Sequence, residues 1–324
     1  MYELCRSRSF LSILSIAMGL WLAVCGTGYA TSWYMKPWKD IYRRVHPEIE
    51  PEWKSLDDAR EWARNDGEVV EPVLLRILNS EYDDIPWTNG LLIAKEIPTE
   101  PVRDNLSRRL TAVMSGLADG CVESGTADGA AVVGIIDVLG HAKDPRVGAI
   151  AVALASKDCQ PVIVVERCVE ALQRVGDQQT IGQLARVPSR QRYVHIDRLC
   201  ALAQKTIAAR ISGRDILRDA DNELRAVTAK YLGALRSKDF AAYADAQPFA
   251  YRDVAKKEEV VREVFGNPQV EDVIRALAGV AGKEAFEIDR DNLEATLVVD
   301  GRYKFVYVLE VEGWKISGPT MIAP

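Results

Sequence analysis

Few residues in this chain have the type and spacing that chemistry requires. There are three histidines, His46, His141 and His195, and no two of them fall on one helix face. A zinc site needs such convergence of nitrogen or sulfur ligands, so no metal ligand set is expected. The chain carries no glycine-rich phosphate loop, no nucleophile elbow and no Cys–His pairing at an informative spacing. The segment Gly125 to Gly129 reads as a loop between helical hairpins. No cofactor is therefore expected. One acid–base pair can be named: Tyr231, on a predicted helix, and Asp253. An apolar surrounding would raise a carboxylate pKa and suit it to general-base work. The bland alternative packs Tyr231 in a core and leaves Asp253 in solvent beside Arg252, Lys256 and Lys257. Spacing alone demands no perturbed acid, so the alternative is preferred and a non-enzymatic protein is expected.

The six cysteines divide into three groups. Cys5 and Cys25 belong to the N-terminal apolar segment. Cys168 and Cys200 fall within apolar helical stripes and read as small buried hydrophobes. Cys121 and Cys159 each follow the second helix of a predicted hairpin, where loops share one edge of a repeat stack. In an oxidising compartment they can bridge, provided their Cα atoms lie within about 7 Å; two free thiols are the alternative.

These residues must be carried by a chain of 324 residues, a length that favours two domains. A hydrophobic content of 48% with 27% charged residues fits folded protein rather than disorder. The net charge of −6 gives no global attraction to nucleic acid. Arg6 and Arg8 precede an uncharged run from Ser9 to Met35. That order reads as an export signal, cut after Ala30 behind Gly28 and Tyr29, or as an uncleaved membrane tether through residues 9–35. Either version sends the remainder out of the cytoplasm, to the periplasm or cell envelope. Residues 31–54, with three prolines and no periodicity, read as a tether.

Residues 55–213 show helical periodicity throughout. Ser55 to Asp58 resembles a capping box, and Gly67 is expected to stop the first helix. Val73, Leu74, Ile77 and Leu78 mark the second helix, Trp87 to Ile97 the third, and residues 100–118 a long fourth. Pro145 and Pro161 suit first helical turns. Between Gly129 and Val187 two phrases echo each other, Val138-Leu139-Gly140 and Arg174-Val175-Gly176, each expected to close a helix on its glycine. The stretches LGHAKDPRVGAIAVAL and EALQRVGDQQTIGQL resemble HEAT-like repeats of the phycobilisome-lyase type. The second copy has Gln178-Gln179 in place of Asp-Pro-Arg. The resemblance implies an α-solenoid with an extended surface for protein contacts; it does not imply lyase chemistry.

Residues 219–324 begin with an amphipathic helix on Leu224, Val227, Thr228, Tyr231 and Leu235, add three shorter helices, and then switch to period two. A two-residue turn at Arg290-Asp291 would set Ile288 opposite Leu293. A three-residue loop at Val299 to Gly301 would set Leu297 opposite Tyr303. A turn at Glu312-Gly313 would pair Val311 with Trp314 and Glu310 with Lys315. AVTAKYLGALRSKDFAAYADA and VDGRYKFVYVLEVEGWKISGP resemble the nuclear-transport-factor-2-like cone, in which helices cover a curved antiparallel sheet. Some members of that superfamily bind small molecules, some are isomerases and some are non-catalytic modules of exported proteins.

The expected fold is thus a mainly α N-terminal solenoid followed by an α+β domain with a curved four-stranded antiparallel sheet. The expected function is an envelope scaffold or adaptor that binds protein partners through its repeats. The alternative is a cone that takes a small apolar ligand or acts as an isomerase, its pocket drawn from Tyr231, Asp253, Phe286, Phe305, Tyr307 and Trp314.

Overall fold

The computed structural model describes residues 56–79, 87–117, 119–123, 126–188, 194–249 and 257–322. The export and tether segments, residues 9–35 included, lie outside the described residues, as does Ser55 of the expected capping box. Among the described residues no helix is long and apolar enough to cross a membrane. The protein is mostly helical and ends in a four-stranded antiparallel sheet.

By contacts, the described residues fall into two units, one within Met1–Ala118 and Gly125–Ala142, the other within Asp119–Ser124 and Lys143–Pro324. The division passes between Ala142 and Lys143, inside the segment 55–213.

The first unit holds α1 (Leu56–Asn65), α2 (Gly67–Leu78), α3 (Trp87–Ala94), α4 (Glu100–Gly116) and α5 (Ala127–His141). The stripes Val70, Leu74, Ile77 and Leu78 of α2, Val102, Leu106 and Leu110 of α4, and Val132, Ile135, Ile136 and Leu139 of α5 are all buried. Such burial at spacings of three and four is what makes each segment helical in this context. Gly67 does not stop α1. It is the first residue of α2, and Asp66 turns the chain before it. Arg60 and Arg64, one turn apart on α1, both donate to Glu96 beyond α3, with N–O distances of 2.6 Å. The carbonyl of Leu78 accepts from Trp87 Nε1 at 3.1 Å and from Arg109 Nη1 at 3.0 Å, and the Arg109 guanidinium lies 4.4 Å from the Trp87 ring centre. These bonds satisfy the open C-terminal end of α2.

The second unit holds α6 (Arg146–Ala155), α7 (Val162–Val175), α8 (Gln178–Leu184), α9 (Val194–Ile211), α10 (Ala220–Ser237), α11 (Phe240–Ala246), α12 (Lys257–Glu263) and α13 (Gln269–Val280). The sheet follows as β1 (Glu287–Asp289), β2 (Glu294–Val299), β3 (Tyr303–Glu310) and β4 (Gly313–Met321), in the order β1-β2-β3-β4. Pro145 and Pro161 stand at the N-caps of α6 and α7. Asp177 and Thr180 form a reciprocal capping box that starts α8. The two repeat glycines do not act as left-handed stops. Gly140 is inside α5, and the positive-φ residue of that corner is Lys143, at 55°. Gly176 has φ −62°; an added Cβ there would lie 2.5 Å from the Leu172 carbonyl and 2.8 Å from Ile207 Cδ1. Glycine is needed at 176 for close packing, not for its dihedral.

The sheet keeps the expected inward face, but each hairpin is displaced from the expected register. Ile288 pairs with Ala295, Leu297 with Phe305, and Leu309 with Trp314. Each of these three shifts is by two residues, which leaves side chains on their faces; beyond the β3–β4 bulge the displacement falls to one, with Phe305 opposite Pro319. The turns are fixed instead by local backbone chemistry. Asp289 accepts from the amides of Asp291 and Asn292, both at 3.0 Å, and so holds a four-residue loop that ends on Leu293 at φ 54°. Asp300 and Gly301 both have positive φ, the pattern of a type I′ turn. Gly313, at φ 120°, follows a turn at Val311-Glu312. A bulge between Phe305 and Tyr307 places Ser317 and Gly318 of β4 opposite a single residue of β3.

Candidate functional site

The expected pocket residues sit between α10 and the inner face of the sheet. Phe305 and Tyr307 are fully buried, and Tyr231 and Trp314 are nearly so. Phe286 packs at the edge of the same core, its ring 5.4 Å from that of Tyr307 in an edge-to-face contact. The centre is therefore filled by the protein's own rings. Thr228 donates to the Leu224 carbonyl at 2.7 Å, which commits its one hydrogen, so Tyr307 Oη donates to Thr228 Oγ1 at 2.8 Å. Burial pushes the Tyr307 hydroxyl well above its ordinary pKa, and the nearby Glu284 carboxylate adds to this while the Thr228 bond opposes it. A phenol held neutral and hydrogen-bonded inside a closed core anchors packing; it reaches no substrate.

A small hollow of about 220 Å³ remains at one end of this core. Tyr231, Tyr243, Tyr303 and Val273 line it, with Pro319 and Met321 from the strand beyond the bulge. Among the described residues its one carboxylate is Glu263, which is exposed. Asp253, the expected partner of Tyr231, lies outside the described residues. Tyr231 and Tyr243 stack at 5.6 Å between ring centres, and Tyr243 meets Phe265 edge-on at 5.6 Å. These contacts account for the hollow's rigid aromatic wall.

Among the described residues two free thiols, Cys168 and Cys200, are buried. Burial pushes Cys168 up to about 12, and burial together with Asp197 does the same for Cys200, which disfavours the reactive thiolate. His195 Nε2 lies 2.6 Å from Glu166 Oε1, linking α9 to α7. Among the described residues no group of three histidine, cysteine or acidic side chains could hold a metal ion.

Cys121 and Cys159 are joined as a disulfide with Cα atoms 5.9 Å apart. The bond is one of several fastenings on the segment 119–123. Gln160, buried, accepts from the Val122 amide at 3.0 Å and donates to the Gly120 carbonyl at 2.7 Å. Lys157 Nζ donates to the Asp119 carbonyl at 2.7 Å. The side-chain amide thus replaces a strand partner for a short extended segment. Sequence spacing brings out the two cysteines but not Gln160, whose type is ordinary in an exposed loop.

A cleft of about 700 Å³ in the second unit was not legible in the sequence. It opens between α9, α10 and the β3–β4 turn and is lined by both signs of charge around Trp314 and Val311. The expected Glu310–Lys315 pair does not form there. Glu310 accepts from the Phe249 amide at 2.7 Å, while Lys315 donates to the Asp245 carbonyl at 2.7 Å. Comparison with protein-family models, curated proteins and solved structures finds no match to this chain.

Proposed function

We propose that the protein is a non-enzymatic scaffold or adaptor of the cell envelope. In this reading the helices from α1 to α9 stack as a HEAT-like solenoid that offers a surface to protein partners. The C-terminal helices and sheet form a curved, nuclear-transport-factor-2-like cone. The observation that carries it is the filled centre of the sheet domain. Where an isomerase-like cone would hold substrate, Phe305 and Tyr307 are at 0% exposure, and the Tyr307 hydroxyl is spent on Thr228. The Ser317-Gly318 bulge supports the cone, because an extra residue in one strand bends and twists it. The 119–123 fastening supports an exported protein, since disulfides persist in oxidising compartments. Isolated exposed apolar side chains on the helices, Val69, Leu92 and Ile163, are contact points rather than core.

A second reading attaches to the hollow at Tyr231, Tyr243 and Tyr303. Its aromatic wall suits a small apolar ligand bound without chemistry. Crosslinking of the protein in intact envelopes, with the crosslinked residues mapped, separates the two. A scaffold yields a reproducible protein partner attached through α1 to α9. A ligand carrier yields none, and instead gains thermal stability from an apolar extract.

A further inference from the structure

The protein is acidic overall, yet one hollow of the second unit is basic. It measures about 300 Å³ and draws cations from separate parts of the chain: Lys143 before α6, Arg174 in the last turn of α7, Arg210 in the last turn of α9, Arg214 just beyond it, and Arg290 in the β1–β2 loop. Among the described residues the carboxylates on its lining are Asp215 and Asp291.

The charges do not all have the same task. Arg210 donates to the carbonyls of Gln173 and Arg174, each at 2.8 Å, and to that of Gly176. It caps the negative C-terminal end of α7 and is committed there. The four other cations face two carboxylates, a surplus of two positive charges. Their internal pairs are open to water. Lys143 meets Asp291 at 2.7 Å with both side chains about half exposed, and Arg290 meets Asp215 at 3.1 Å with similar exposure. Exposed pairs of this kind contribute little, so they yield readily to a stronger anion. Arg174 reaches the same loop, through Asn292 Oδ1 at 2.8 Å and the Asp291 carbonyl at 3.3 Å. Among the described residues Arg214 donates to Ser212 Oγ alone, through Nε at 3.0 Å, and its guanidinium lines the hollow. Guanidinium groups bind planar or tetrahedral oxyanions in forked pairs. A single carboxylate is satisfied by one such fork, whereas a doubly charged phosphate monoester takes two or more.

We propose that this hollow is a binding site for a phosphate monoester group, held by Arg214 and Arg174 with Lys143 and Arg290 exchanging from their carboxylates. Arg214, Asp215 and Ile216 also line the adjoining 700 Å³ cleft, which receives the organic remainder of the ligand. The site is independent of the scaffold reading.

Titration calorimetry on the full chain in detergent tests the assignment, with inorganic phosphate at pH 7.5 as the probe and acetate as the comparison. One saturable phosphate site per chain is expected, with acetate at least tenfold weaker. Arg214→Glu should weaken phosphate at least tenfold; Arg262→Glu, at an exposed position outside the hollow's lining, should leave it unchanged. Arg214 makes a single side-chain bond, and circular dichroism of the variant checks that it folds. Absence of saturable binding, equal affinity for acetate, or an Arg214→Glu variant that binds as the parent does would each overturn the site. Glycerol 3-phosphate and dihexanoyl phosphatidic acid then identify the source. Equal affinities assign a soluble phosphoester, and tighter binding of the lipid analogue assigns a headgroup.

Discussion

At the scale of single residues, the most informative side chains are those that hold backbone. Glu96 ties the turn after α3 to two arginines of α1. Burial alone would raise its pKa, but the hydrogen bonds from Arg64 and Arg60 outweigh this and hold it below the ordinary value of 4.5. A carboxylate with a lowered native pKa contributes stability that is present above its unfolded pKa and lost as pH falls through the native one. Glu96→Gln should therefore cost about 1 kcal/mol at pH 7, and the difference from the parent should vanish in strong acid, once the pH lies below the lowered native pKa of Glu96. Chemical denaturation at both pH values measures it. Gln160 is a stronger case, because its loss orphans a buried amide. Gln160→Leu should destabilise by about 2 kcal/mol, seen in the same assay. Neither role was legible in the sequence. Glu96 and Gln160 have the types expected of any solvated loop, and their partners are 32 to 40 residues away. The pair Cys121 and Cys159 stood out in the sequence, because each cysteine follows the second helix of an expected hairpin, where loops share one edge.

At the scale of elements, periodicity located the helices and the inward faces of the strands, while their ends followed local chemistry. The α5–α6 corner shows why. A glycine at 140 reads as a stop, yet the helix runs through it and the left-handed residue is Lys143. Hairpin register failed in a related way. Alternation of apolar and polar residues determines parity only, so displacements of two are degenerate until Asp289, Asp300 and Gly313 pin the turns. Glycine substitutions separate packing from propensity. Gly176→Ala should lose about 2 kcal/mol, since its Cβ would press on the Leu172 carbonyl. Gly233→Ala, exposed in α10 with nothing within 4 Å of the added atom, should gain about 0.5–1 kcal/mol. Paired thermal melts read both signs in one experiment.

At the scale of the whole molecule, the fastening of 119–123 has a measurable weight. The Cys121–Cys159 link spans 38 residues, and closing a loop of that length stabilises by about 3–4 kcal/mol on chain-entropy grounds. Alkylation after reduction should cap two more thiols per chain, Cys121 and Cys159, than alkylation without reductant, and reduction should bring a clear fall in melting temperature. An equal number of capped thiols with and without reductant would show both thiols free at the outset. The basic hollow illustrates what sequence reading misses at this scale. Its cations come from four loops and helix ends, and a net charge of −6 points away from any anion site.

The proposed scaffold role rests on a contact surface along the helices, beside a sheet domain whose centre is filled by Phe305 and Tyr307. Crosslinking and mass spectrometry on intact envelopes address it directly, comparing the parent with Ile163→Asp, a change at an exposed position of α7. One or more reproducible protein partners are expected, crosslinked through α1 to α9 and lost in the variant while the variant remains folded. Recovery of no reproducible partner, or the same partners captured equally by parent and variant through the sheet domain alone, would contradict it.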